Sequence, residues 1–184
     1  MANAFGFIIR DGLETDVESC LMLDSTYETD FVWQMHIQRS SDMQRAAFST
    51  ERLPRTMEAV HPVDERRLHF ALAPQQCLLV AVGRTEPQAL GFLTMTTIRT
   101  HGVGIIQDIV VDQPFRRRRI GLRLLNAARQ WAAERGLESM MLETRTQNYP
   151  ATQFCQSAGM TFCGFNDQYF PNRDIAVFFG QSLR

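Results

Sequence analysis

Lysine is missing from this chain: all 19 basic side chains are arginine, set against 20 acids for a net charge of −1 over 184 residues. Arginine-favouring codon usage accounts for the absence of lysine but not for where the arginines fall. A balanced charge argues against a protein that holds nucleic acid or an anionic membrane by bulk electrostatics. Long apolar runs are also missing, none approaching the roughly 18 residues of a membrane span. The first nine residues lack the basic and apolar regions of a signal peptide, so a cytoplasmic protein is expected. Cysteine is scarce, and Cys20, Cys77, Cys155 and Cys163 have neither metal-ligand spacing nor grouped histidines. No metal site is expected, and the four read as reduced thiols. Repeats, low-complexity tracts and Pro/Gly/Ser-rich linkers are absent too, which leaves one domain over residues 1–184. That length buries roughly 70% of its unfolded surface without disulfides.

What is present is unevenly distributed. Seven arginines lie between Arg116 and Arg135 against the single acid Glu134, whereas the first 30 residues carry seven acids and only Arg10. Residues 5–10 read as a strand, and residues 13–24 as an amphipathic helix with Leu13, Val17, Cys20, Leu21 and Leu23 on one face. Residues 27–53 alternate as a long hairpin, Pro54 and Pro62 bracket a loop, and residues 64–72 form a short helix. Residues 77–83 (CLLVAVG) and 89–98 (ALGFLTMTTI) form an antiparallel hairpin around a turn at residues 85–88. Residues 105–111 (IIQDIVV) are a further strand. A helix over 121–135 follows, with Leu122, Leu125, Ala128, Ala132 and Trp131 inward and Gly136 as its stop. A strand over 137–144, a short helix over 150–157 ended by Gly159, and strands over 161–165 and 175–179 complete a mixed α/β chain.

The stretch from Ile105 to Leu125 carries the most chemistry. A tight turn between a strand and a helix start aims unpaired N–H groups and the positive end of the helix dipole at one spot, which suits phosphate. Arg116, Arg117, Arg118 and Arg119 stand there, where cations oppose the dipole unless an anion is bound. The bland alternative is a solvated basic face.

These residues resemble the acyl-CoA signature of the GNAT superfamily of N-acetyltransferases, Gln/Arg-x-x-Gly-x-Gly/Ala after a strand ending in Val-Asp-Pro-like residues. The match is Arg116-x-x-Arg119-x-Gly121, preceded by Ile109-Val110-Val111-Asp112. Arg119 replaces the first motif glycine, and the loop then requires that residue to avoid a positive φ. The resemblance extends through residues 138–144 and through Asn148-x-x-Ala151-x-x-Phe154-Cys155-x-x-x-Gly159, covering about residues 77–179. The C-terminal pattern is similar to the streptothricin-acetyltransferase-like branch.

The resemblance implies a single α/β domain with a mixed, mostly antiparallel sheet whose central strands splay. It implies residues 1–76 on the acceptor side and residues 77–181 as the acyl-CoA-binding core. Acetyl-CoA would be the co-substrate. Its pyrophosphate would take backbone N–H groups from Arg117, Arg118, Arg119, Ile120, Gly121 and Leu122, closed around by Arg116 and one neighbouring arginine. The pantetheine arm would pair with the edge of Ile109, Val110 and Val111, with Asn148 on its other side.

The implied reaction is direct attack of a neutral amine on the thioester. The family's acid, a Tyr, is replaced by Cys155, which reads as a small helix residue, as a substitute acid, or as displaced in that role by Tyr149 or Tyr169. Proximity alone is a further route. Asp108 and Glu143 stand in apolar runs, where a carboxylate must find partners or face a cleft. Each reads as a base, as a site for a cationic acceptor, or as structurally paired, Glu143 with Arg145. His36, His61, His69 and His101 stand apart from the recognised motifs and read as structural or exposed.

The acceptor side holds Glu14, Asp16, Glu18, Asp24, Glu28 and Asp30 with Tyr27, Phe31 and Trp33, suited to an amine cation or equally to a solvated helix face and a half-buried hairpin. The implied function is acetylation of a primary amine, of a small molecule in the first instance. Protein N-terminal or Lys acetylation, or a CoA-binding regulatory module with little catalysis, are the alternatives. Exposed strand edges near the C-terminus leave room for a homodimer.

Overall fold

The computed structural model describes residues 6–85 and 87–184. Phe5 of the expected first strand and Glu86 of the expected turn lie outside the described residues. The elements are β1 (Phe7–Asp11), α1 (Val17–Leu21), β2 (Thr26–Arg39), β3 (Gln44–Val60), α2 (Glu65–Ala71), β4 (Cys77–Gly83) and β5 (Ala89–Ile98). They continue with β6 (Val103–Val111), α3 (Ile120–Glu134), β7 (Ser139–Arg145), α4 (Tyr149–Ser157), β8 (Thr161–Asn166) and β9 (Ala176–Ser182). This is an α/β fold on a mixed sheet, as expected. Two compact units divide the chain: one takes the residues up to Thr26, Val60–Leu142 and Gly180–Arg184, the other Tyr27–Ala59 and Glu143–Phe179.

In the first unit the strands run β1-β4-β5-β6-β7. The first three pairings are antiparallel, and β6 pairs with β7 in parallel. Parallel pairing extends only from Val103–Ser139 to Ile106–Leu142. The strand β6 itself runs on to Val111, five residues past the last of these pairs. Between β5 and β6 the register shifts, with Thr94 opposite Asp108 and Met95 opposite Ile106, so Gln107 is an extra residue. Such a bulge bends a strand and re-aims the side chain beside it.

Helices cover this sheet on both faces. Val17 and Cys20 of α1 and Leu68 and Ala71 of α2 form a core cluster with Leu78, Val80, Val82, Phe92 and Val110. The helix α1 is shorter than its apolar spacing predicts. Asp16 turns back to accept the Leu13 N–H at 2.8 Å and the Arg10 guanidinium at 2.6 and 2.9 Å, which fixes a 3-10 turn over Glu14–Asp16 and starts α1 after it. α2 begins where Asp64 accepts from the Arg66 and Arg67 N–H groups. α3 packs on β4, β5 and β6 and ends at Gly136, whose φ of 74° reverses the chain. It starts at Ile120, one residue earlier than expected, and its inward face carries Leu125, Ala128, Trp131 and Ala132 as expected, but not Leu122. Leu124 and Leu125 are fully buried, while Leu122, about 200° around the helix from Ile120, is 37% exposed.

The second unit contains a two-stranded β2–β3 sheet, α4, β8, and the ends of β7 and β9. The hairpin is longer than predicted, because β3 continues through Pro54 to Val60 where a loop was expected. A two-stranded sheet has a free edge on each strand, where a missing N–H costs no ladder bond. Trp33 anchors the unit's aromatic core, with ring centroids 5.8 Å from Phe48, 5.8 Å from Phe162 and 5.6 Å from Phe179. Its backbone N–H donates to the Thr146 carbonyl at 2.9 Å.

The two faces of α3 give an expected outcome for urea denaturation. Leu124→Ala should cost about 2–5 kcal/mol, whereas Leu122→Ala should stay within about 0.5 kcal/mol of the parent. Equal effects would place the inward face wrongly.

Candidate functional site

The turn from β6 into α3 is built by backbone geometry. After Val111 the Asp112 N–H donates to the Leu90 carbonyl at 3.0 Å, a 3-10 turn follows over Gln113–Phe115, and Arg116 is extended. Arg117 and Arg119 then take left-handed conformations, with φ of 62° and 64°. The condition that Arg119 avoid a positive φ is therefore not met. The residue adopts the glycine-like conformation at a cost of about 1–2 kcal/mol, because the chain must reverse between extended Arg116 and the first turn of α3. Both side chains are exposed, so no packed neighbour opposes the turn.

Residues that alternate in backbone handedness direct successive N–H groups to a common side, forming a concave anion cradle. The first i to i−4 bond into α3 is donated by Arg123 to the Arg119 carbonyl at 3.1 Å. Among the described residues, the N–H groups of Arg119, Ile120, Gly121 and Leu122 have no backbone acceptor. The exposed Arg117, Arg118 and Arg119 surround them. A diphosphate fits this donor set, and Ile109, Val110 and Val111 of β6 precede it along the chain.

Arg116 is oriented differently from what the signature implies. Its Nε donates to the Val111 carbonyl at 2.9 Å, and its terminal nitrogens donate to the Thr26 and Asp24 carbonyls at 2.5 and 2.7 Å. Asp112 accepts the Asp24 N–H at 2.9 Å. The arginine thus pins residues 24–26 to the turn with its fork fully engaged, and the cradle's charge comes from its neighbours. Asp24 itself is held below the usual carboxylate range, first by hydrogen bonds from Thr26 and to a smaller extent by Arg116.

Asp108 of β6 is buried and surrounded. Thr94 donates its hydroxyl to Oδ2 at 2.6 Å and accepts the Asp108 N–H at 3.1 Å. Arg67 Nε of α2 lies 2.8 Å from Oδ2, an ion pair whose N–H is not aligned for a hydrogen bond. His61 Nε2 lies 2.8 Å from Oδ1. His61 was expected to be structural or exposed and instead joins a candidate site. Its sequence neighbourhood carried no sign of this: it stands before Pro62, past the end of β3, and its partner is 47 residues away. The one usable signal was the need of Asp108 for partners.

In the second unit, Glu143 accepts the Tyr169 hydroxyl at 2.5 Å. Arg145, its expected partner, pairs with Asp174 at 3.3 Å and covers the Phe170 ring at 4.6 Å. Asn148 caps α4, its Oδ1 accepting the Ala151 N–H at 3.1 Å. Tyr149 packs on Phe31 with centroids 5.5 Å apart. Cys155 is fully enclosed in α4, and burial pushes its thiol up to about 12. His36, His69 and His101 are exposed, the first two beside Glu51 and Glu14. Among the described residues no group of three His, Cys, Asp or Glu side chains is placed to hold a metal ion, and no helix is long and apolar enough to cross a membrane.

A family model described as acetyltransferase (GNAT) family matches residues 41–160. No curated protein matches the sequence. Among solved structures, a nourseothricin acetyltransferase is similar with a TM-score of 0.82 at 21% identity, over 97% of this chain and 99% of that one. A protein described as a streptothricin acetyltransferase from Bacillus anthracis, in complex with acetyl coenzyme A, has a TM-score of 0.77 at 23% identity, over 98% and 99%. A ribosomal-protein alanine N-acetyltransferase from Escherichia coli has a TM-score of 0.67 at 15% identity, over 97% and 94%.

Two outcomes are expected from these contacts. Arg116→Ala should lower stability by about 1–3 kcal/mol through its lost bonds to carbonyls, and Arg116→Lys should not restore it, since an ammonium cannot span three carbonyls as a planar fork does; thermal unfolding measures both. Cys20, Cys77 and Cys155 are each raised by burial from 9.0 to about 12. The unfolded chain therefore sheds thiol protons first as pH rises. Stability should be full below pH 9 and decline above it, and a urea midpoint that stays level to pH 11 would contradict this.

Proposed function

The chain belongs to the acetyltransferase (GNAT) family, and on that premise we propose that it transfers an acetyl group from acetyl-CoA to a primary amine of a small molecule. The observation that carries the reading is the cradle at the start of α3, with its unpartnered N–H groups ringed by three exposed arginines. A dianionic pyrophosphate satisfies those donors and relieves the repulsion between the arginines and the helix dipole. Acetyl-CoA supplies the activated acyl thioester when bound.

Each residue then has a role. N–H groups of Arg117, Arg118, Arg119, Ile120, Gly121 and Leu122 hold the pyrophosphate. The edge of Ile109, Val110 and Val111 receives the pantetheine amides as an added strand. Asp108 and Glu143 supply negative charge that favours a cationic acceptor. Tyr169, a phenol with its hydroxyl on Glu143, is the donor for the departing thiolate, and buried Cys155 serves as a helix residue. A small-molecule acceptor is favoured by the full-length likeness to proteins named for nourseothricin and streptothricin. Transfer to a protein N-terminus is the second reading, supported by the likeness to an alanine N-acetyltransferase.

Calorimetry with acetyl-CoA, followed by thiol release with streptothricin, spermidine, an aminoglycoside and a peptide with a free N-terminus, tests the proposal. Release with one of the first three and none with the peptide is expected. Gly121→Glu, which places bulk and negative charge in the cradle, should weaken acetyl-CoA binding by about 100-fold or more, equivalent to about 2.7 kcal/mol. Undiminished affinity in that variant excludes the cradle as the pyrophosphate site, and tight binding without turnover on any amine favours a regulatory module.

A further inference from the structure

Asp108 cannot itself reach an acceptor amine. It is 1% exposed, and both carboxylate oxygens are engaged, Oδ2 by the Thr94 hydroxyl at 2.6 Å and by Arg67, Oδ1 by His61 at 2.8 Å. His61 is differently placed. Its side chain is 29% exposed, and among the described residues its only polar side-chain partner is Asp108. An ionised carboxylate only accepts hydrogen bonds, so the contact fixes the proton of neutral imidazole on Nε2. The lone pair of Nδ1 is left facing away from Asp108. The main chain holds the ring in place, with the His61 N–H donating to the Ser25 carbonyl at 3.2 Å and the Ser25 hydroxyl to the His61 carbonyl at 2.8 Å.

We infer that His61 is the general base of the reaction, taking a proton from the acceptor ammonium on Nδ1, with Asp108 as a positioning residue. The inference rests on the acetyltransferase reading above. The acceptor R–NH3+ gives one proton to Nδ1, and the nitrogen lone pair so released forms the C–N bond at the thioester carbonyl. The C–S bond breaks with its electron pair going to sulfur, and the second nitrogen proton ends on that sulfur. The sum is amide, CoA thiol and one proton, which His61 returns to water. Asp108 stabilises the imidazolium and keeps the tautomer, the division of labour of a carboxylate behind a histidine base. Asp108 of β6 and Arg67 of α2 are the charged groups at this ring, and Arg67 shares the carboxylate through an unaligned ion pair.

The test follows kcat/KM with pH for streptothricin and spermidine in the parent, His61→Gln and Asp108→Asn, with acetyl-CoA affinity by calorimetry and thermal unfolding alongside. In His61→Gln the rate near neutral pH should fall about 100-fold or more. The deficit should shrink as pH rises and the amine sheds its own proton, and acetyl-CoA affinity should stay within about threefold. Asp108→Asn should show the same pH-dependent recovery. His61→Gln activity within about threefold of the parent at neutral pH overturns the inference, as does a deficit equal at every pH, the mark of a structural role. A parent that binds no acetyl-CoA, or acetylates neither amine, overturns the acetyltransferase reading itself and this inference with it.

Discussion

A carboxylate inside a sheet has to be compensated, and Asp108 draws three separate parts of the chain together to achieve it. Thr94 comes from the neighbouring strand, Arg67 from α2, and His61 from the segment after β3. Left unpaired, such a charge would cost several kcal/mol. The bulge at Gln107 belongs to the same solution, since it sets Asp108 opposite Thr94 while β6 keeps its pairing with β5 on both sides. The carboxylate is thereby withdrawn from solvent, and its influence is passed outward through a ring that solvent can reach.

The other end of the same strand solves a different problem. The strand β6 ends in a turn that reverses twice through left-handed arginines. The Arg116 fork steadies this turn from behind, so the strained residues beyond it face outward with their N–H groups unspent. One strand thus carries the buried Asp108 cluster and leads directly into the arginine-rich turn. Rigid sheet geometry, rather than a loop, sets the spacing between them.

Much of this was legible in the sequence wherever local rules decide. The hairpin of β4 and β5, the strand β6, and the glycine stops at Gly136 and Gly159 follow from alternation and turn chemistry, and both glycines have positive φ. The strand–turn–helix passage over β6 and α3 follows for the same reason. Misreadings arose where a distant contact outweighed a local one. The short α1 reflects Asp16 captured by Arg10, the continuation of β3 through Pro54 reflects a free sheet edge, and Leu122 falls outside the stripe that Leu125, Ala128, Trp131 and Ala132 bury. The charge of Arg116 is visible in sequence, whereas two of the three carbonyls it serves are 90 and 92 residues away. The same holds for His61, since a histidine gains its meaning only from what the fold sets against it.

The arginine staple has a further property. Its guanidinium grips three main-chain carbonyls and no side chain, and every amino acid supplies the same carbonyl. The identity of the residues at 24 and 26 can therefore drift while the staple persists, because it recognises the path of the chain and not its composition. The acid-rich N-terminal segment can thus change its side chains while the turn behind Arg116 keeps its shape. Arg116 itself has no such latitude, and Asp112, which holds the Asp24 N–H, shares the constraint.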